Sequence, residues 1–210
     1  MDKIELKLWN KVNRWLFLIR MVPFLKLVCV SNNMSFGVVD GQSDIDLFVV
    51  AKKGRLYTAR FFLNLFLKIF GLRVSRGKTF GRFCLSFMVD EDNVDLADFR
   101  IDDDVYLYFW AKRLLPILDR GGLSRGFAGL LEGVFGGLED FLRKRQISHV
   151  INKLKIDNDK TRIVFDDGVF KVHLNDMREN IRDAYRKIDH DGLSEEKFIA
   201  LLRSLKSLGK

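Results

Sequence analysis

Asp44 and Asp46 stand two residues apart at the start of an otherwise apolar, β-branched run, SDIDLFVV, over residues 43–50. In an extended strand, residues i and i+2 project from the same face. The two carboxylates therefore point together, while Ile45, Leu47 and Val49 point the other way. Paired buried carboxylates are costly unless positive charge joins them. Clustered oxygen ligands suit a hard divalent cation, and magnesium is the expected one. The chemistry such a pair serves is phosphoryl or nucleotidyl transfer.

The pair needs a frame to hold it. Residues 3–21 place Leu8, Val12, Trp15 and Ile19 at helical spacing, with Pro23 just beyond. Residues 24–30 (FLKLVCV) predict a strand, and a polar loop over 31–42 leads into the aspartate strand. Residues 55–70 predict a helix with a broad apolar face, stopped by Gly71. A short strand is expected at 72–75 and a clearer one at 83–89 (FCLSFMV), followed by an acidic loop over 90–104. Residues 105–118 predict a helix that Pro116 kinks or ends, capped by Asp102, Asp103 or Asp104. Residues 126–146 keep helical spacing despite five glycines. The Asp-Gly within RIVFDDGVFKVHL predicts a hairpin over 162–174. Helices are expected over about 176–189 and 195–208, the last capped by Ser194.

Residues 28–50, VCVSNNMSFGVVDGQSDIDLFVV, resemble the core motif of the nucleotidyltransferase superfamily that includes DNA polymerase beta. That motif is an apolar strand, a Gly-Ser pair, about ten residues, then Asp-x-Asp inside a second apolar strand. More loosely, AKKGRLYTAR, FCLSFMVD and YLYFW are similar to segments of small uncharacterised bacterial proteins with this domain. The resemblance implies an α+β fold: a mixed β-sheet flanked by helices over residues 1–120, followed by a mainly helical region over 121–210. It implies Asp44 and Asp46 as catalytic magnesium ligands, and Ser31, Asn32, Asn33, Ser43 and Arg60 as nucleotide contacts. The substrate would be a nucleoside triphosphate. The acceptor hydroxyl is left open between nucleic acid, protein and small molecule.

Two departures from the motif carry weight. Asn32 and Asn33 stand where the family has Gly-Ser; asparagine tolerates left-handed backbone angles and donates hydrogen bonds. The family's third carboxylate, on a neighbouring strand, has no counterpart in FCLSFMV, where Cys84 or Ser86 would occupy its place. Asp95, downstream in NVDLADF, is the substitute the sequence offers. The alternative to an enzyme is therefore a catalytically silent nucleotide-, RNA- or partner-binding protein of the same fold. Lys52, Arg55 and Arg60 follow the aspartate strand and are candidate phosphate contacts; for Lys52 and Arg55 a solvated turn competes with that role.

Composition sets the outer bounds. The chain has 210 residues, of which 48% are hydrophobic, enough for a sizeable core. A net charge of +8 favours anionic partners, although 28 acidic residues are interspersed with the basic ones. Cys29 and Cys84 lie in apolar runs, and no CxxC or Cys/His cluster suggests zinc. Charges interrupt every apolar stretch before membrane length, so no membrane span is expected and a cytoplasmic location is the default.

Overall fold

The computed structural model describes residues 2–96, 99–120, 146, 162–173, 176–189 and 194–208. Its described elements run α1 (Lys3–Met21), β1 (Leu25–Val30), α2 (Asn32–Ser35), β2 (Ile45–Ala51), α3 (Leu56–Ile69), β3 (Phe83–Asp90), α4 (Val105–Lys112), β4 (Leu115–Asp119), β5 (Arg162–Asp166), β6 (Val169–His173), α5 (Arg178–Arg186) and α6 (Glu195–Leu208). The chain is α+β, with a six-stranded mixed sheet in the order β4-β1-β2-β3-β6-β5.

β2 lies inside the sheet, antiparallel to β1 and parallel to β3. Its residues are buried from end to end. That explains why the aspartate strand reads as a nearly continuous apolar run rather than an alternating one. One face of the sheet packs on α1 and α3 through Ile45, Leu47 and Val49, met by Leu8, Val12 and Leu63 among others. The opposite face carries Phe48, Val50 and Phe87, covered by Phe109 and Trp110 of α4, Tyr185 of α5 and Phe198 of α6. Periodicity predicts both helices of the first layer because their inward residues repeat at three and four, as in Leu56, Ala59, Leu63 and Leu67. Gly71 follows α3 at φ 61°, and its N–H donates to the Lys68 carbonyl at 3.0 Å, ending the helix as expected.

Three expectations meet a different outcome. The helix expected over 105–118 stops at Lys112, and Leu115–Asp119 forms β4, antiparallel to β1. Pro116 decides this, since it cannot donate within a helix but is accommodated on an edge strand. The ladder is irregular beside it, with a register shift between Val28 and Cys29. The strand expected at 72–75 reduces to isolated bridges, Arg73 with Phe83 and Ser75 with Lys78. The loop over 31–42 contains the one-turn helix α2.

The Asp-Gly hairpin forms, and β6 continues the main sheet by pairing with β3. β5 and β6 thus share the sheet with β1 to β4, and α5 and α6 share its second core with α4. Arg178 ties α5 to the start of α4: it bonds the Asp104 carboxylate at 2.7 Å and the Phe99 carbonyl at 2.7 Å. Asp104 in turn caps α4 by accepting from the Leu107 N–H at 2.9 Å. The expected helix over 126–146 lies outside the described residues, apart from Gln146. No helix among the described residues is long and apolar enough to cross a membrane.

Candidate metal centre

Asp44 sits just before β2 and Asp46 one residue inside it. The backbone around them is pinned on both sides. Ser31 N–H donates to the Asp46 carbonyl at 3.0 Å, and Ile45 N–H donates to the Arg82 carbonyl at 2.8 Å. Alternation sends Ile45 and Leu47 into the first core and Asp46 to the second face, with Phe48 and Val50 further along. Across the parallel ladder Asp46 is the register partner of Cys84. The next paired residues are Phe48 and Phe87, so β3 carries an extra residue at this point. Bulges of this kind re-aim side chains.

The result is a three-membered group. One ligand atom from each of Asp44, Asp46 and Cys84 lies within 4.8 Å of the others. Asp46 is 9% exposed. Neither aspartate forms a salt bridge among the described residues. The Cys84 thiol lies close enough to both carboxylates to favour their charged forms, and the Ser86 hydroxyl close enough to favour the thiolate. Burial, then the Asp44 charge, raises Asp46 to about 7. Burial is also the main cause of the upward shift of Asp44. The thiol is pushed up to about 12 by burial and then by the two carboxylates. Arg73 lies near enough to favour the charged form of both aspartates, and Lys206 does so for Asp44, but neither closes an ion pair with them.

Asn32, the first of the Asn-Asn pair, takes a backbone angle that few residues reach. Its φ is 53°, a left-handed value that glycine adopts freely and asparagine better than most residues. Its side-chain oxygen accepts from Trp110 Nε1 at 2.9 Å and from the Tyr106 hydroxyl at 3.2 Å. That fixes the amide orientation and leaves the NH2 group to bond the Asp46 carboxylate. A cavity of about 20 Å³ adjoins this point, lined by Asn32, Ser86, Tyr106, Trp110, Lys171 and Arg178 among others. The larger cavity, about 920 Å³, lies elsewhere, between α4 and α5, and neither aspartate of the pair lines it.

The other expected contacts take different places. Ser31 is buried beside Asp46, with its hydroxyl 3.5 Å from the Asp46 carbonyl. Asn33 is half-buried in α2, and its carbonyl accepts from Val38 N–H at 2.9 Å. The Ser43 hydroxyl is committed within the loop: it accepts from Asp40 N–H at 2.8 Å and from Lys206 Nζ at 3.0 Å. It also donates to the Asp40 carboxylate at 3.0 Å. Arg60 is buried, its guanidinium stacked 3.5 Å from the Phe170 ring centroid and bonded to Gln146. Desolvation lowers it to about 9. Lys52 and Arg55 follow the far end of β2; seven strand residues separate them from Asp44, roughly 20 Å of extended chain. Asp95 is exposed on the wall of the large cavity and is not part of the group.

Arg73 and Lys206 had no signal in the sequence, because one lies in an irregular segment and the other near the end of a remote helix. The segment after the α3 end meets the loop before β2 where Gly81 N–H donates to the Ser43 carbonyl at 2.9 Å. Comparison of the chain with protein-family models, with curated proteins and with solved structures returns no match.

Two clustered carboxylates fit a magnesium ion. The third atom of the group is sulfur, which magnesium does not take as a ligand. The centre therefore fits magnesium through Asp44 and Asp46 alone.

Proposed function

We propose that this chain is a nucleotidyltransferase-fold enzyme that moves a nucleoside monophosphate from a triphosphate to an acceptor hydroxyl. One observation carries the reading: two carboxylates, mostly buried and without an ion-paired cation among the described residues, converge at the start of an interior strand. The loop back to β1 and the left-handed Asn32 agree with the motif resemblance. Asp44 and Asp46 would hold magnesium, which when bound neutralises charge on the triphosphate. The chain's own groups supply the rest. Asn32 orients Asp46 through its amide, with Tyr106 and Trp110 holding that amide in place. Arg73 offsets the paired negative charge of both aspartates, and Lys206 that of Asp44.

The test is transfer of label from α-phosphate-labelled triphosphates with magnesium, to mixed RNA, protein and small hydroxyl compounds. Asp44→Asn and Asp46→Asn should each lose at least about 100-fold in rate while keeping the parent's circular dichroism. Transfer by both variants at the parent rate would overturn the assignment.

Cys84 favours a second reading, a nucleotide-binding protein without turnover. It stands where the resemblance places a third carboxylate, and no acid among the described residues joins the aspartate pair. Calorimetric binding of triphosphate without any label transfer would select this reading over the first.

A further inference from the structure

Cys84 is unlike the other cysteine. Cys29 is 1% exposed within an apolar cluster with Phe48, Val50 and Trp110. Cys84 instead has its sulfur within 4.8 Å of a carboxylate oxygen of both Asp44 and Asp46. A cysteine serving only as a small hydrophobe belongs among apolar neighbours. A thiol grouped with two carboxylates offers the donor set of a mixed sulfur and oxygen metal site.

The spacing agrees. Three atoms no more than 4.8 Å apart all lie within about 2.8 Å of a common centre. Zinc takes sulfur at about 2.3 Å and carboxylate oxygen at about 2.0–2.2 Å, so side-chain adjustments of about 0.5–0.8 Å close the shell. The uncompensated charge agrees too, since neither carboxylate has a salt bridge among the described residues. A divalent cation on this group would neutralise both aspartates.

We propose that Asp44, Asp46 and Cys84 together form a site for a thiophilic divalent cation of the zinc class, and that Cys84 sets the selectivity of the centre. Zinc-class ions find three protein ligands here, whereas magnesium finds two. The thiol proton passes to solvent as the sulfur–metal bond forms. A water or phosphate oxygen completes the shell. The inference rests on the reading of the aspartate pair as a metal centre, but not on any transfer activity.

Cobalt(II) is the probe, because a thiolate–cobalt bond gives a charge-transfer band in the near ultraviolet. The full chain, stripped of metal, should develop that band on titration with cobalt. Zinc should abolish it, and a large excess of magnesium should leave it. Cys29→Ser should keep the band. Cys84→Ser should lose it and bind cobalt roughly tenfold or more weakly by calorimetry. Asp46→Asn should weaken binding in parallel. A band that survives Cys84→Ser overturns the proposal. So does calorimetric cobalt binding that needs Asp46 but proceeds without a band, although the aspartate centre would then stand. If the parent binds no divalent cation at all, both the thiol site and the metal centre fall.

Discussion

Asp46 and Cys84 are register partners across the parallel β2–β3 ladder, and a carboxylate oxygen and the sulfur lie within 4.8 Å of each other. The second strand of the ladder thus brings sulfur to a position where the motif resemblance leads one to expect a third acid.

Metal-free protein should be less stable at neutral than at mildly acidic pH. Burial, followed by the Asp44 charge, lifts Asp46 from 3.8 to about 7. Between about pH 4 and pH 7 the folded chain holds a proton that the unfolded chain has released. Raising pH through that window therefore lowers stability, on the order of a few kcal/mol, and the loss levels off above about pH 7. Thermal melts in chelator should show a Tm that falls across the window. A saturating divalent cation should remove most of the fall, because it binds the deprotonated carboxylate. A Tm in chelator that rises steadily from pH 5 to pH 8 would contradict the burial of this charge.

Cys84→Asp should convert the centre into an all-carboxylate one. A third acid beside Asp44 and Asp46 adds repulsion, so the metal-free variant should melt below the parent at pH 8. Magnesium should raise its Tm more than it raises the parent's, because the variant offers three oxygen ligands. Equal magnesium-induced shifts in the two proteins would show that position 84 does not reach the cation.

Much of this was legible in the chain. The aspartate spacing and the apolar run around it identify β2 because both follow from strand geometry alone. The hairpin is legible because an Asp-Gly step between two β-like runs marks a turn. Pro116 was misleading: it marks the end of a helix and also suits an edge strand, and only the pairing of Val28 with Leu118 decides between them. The surroundings of the aspartate pair were less legible. Cys84 is fixed by inter-strand register, Trp110 by the packing of α4, and Lys206 by a helix that begins at Glu195, far downstream of Asp44. Long-range placement of this kind leaves no local pattern.

Asn32→Ala should cost about 2–3 kcal/mol in denaturant midpoint experiments. The substitution leaves Trp110 Nε1 without its acceptor and puts alanine at a φ of 53°. Asn32→Gly removes the backbone part of that penalty and should be the milder of the two. Both should raise the pH at which Asp46 ionises, because its amide donor is gone. A smaller loss for alanine than for glycine would show that the left-handed angle is not what asparagine serves here.

Lys206→Met should loosen the loop before β2. The ammonium bonds the Val38 carbonyl at 2.8 Å and the Ser43 hydroxyl at 3.0 Å. It lies 3.7 Å from the Asp40 carboxylate. The contact is partly solvent-exposed, so the stability loss should be modest, about 1 kcal/mol. Hydrogen exchange should nonetheless accelerate at the amides of Ser43 and Ile45, and that is the measurement to make. Unchanged protection there would mean that α6 does not restrain the loop.

The proline that ends α4 has a bearing on self-association. β4 is one border of the sheet, with only β1 beside it among the described strands. Pro116 lacks a donor and the ladder beside it is irregular. Together they break the regular row of amides and carbonyls that a strand from another molecule would need to dock there. A residue that looks in the sequence like a helix terminator thus helps keep one copy of this sheet from extending into the next.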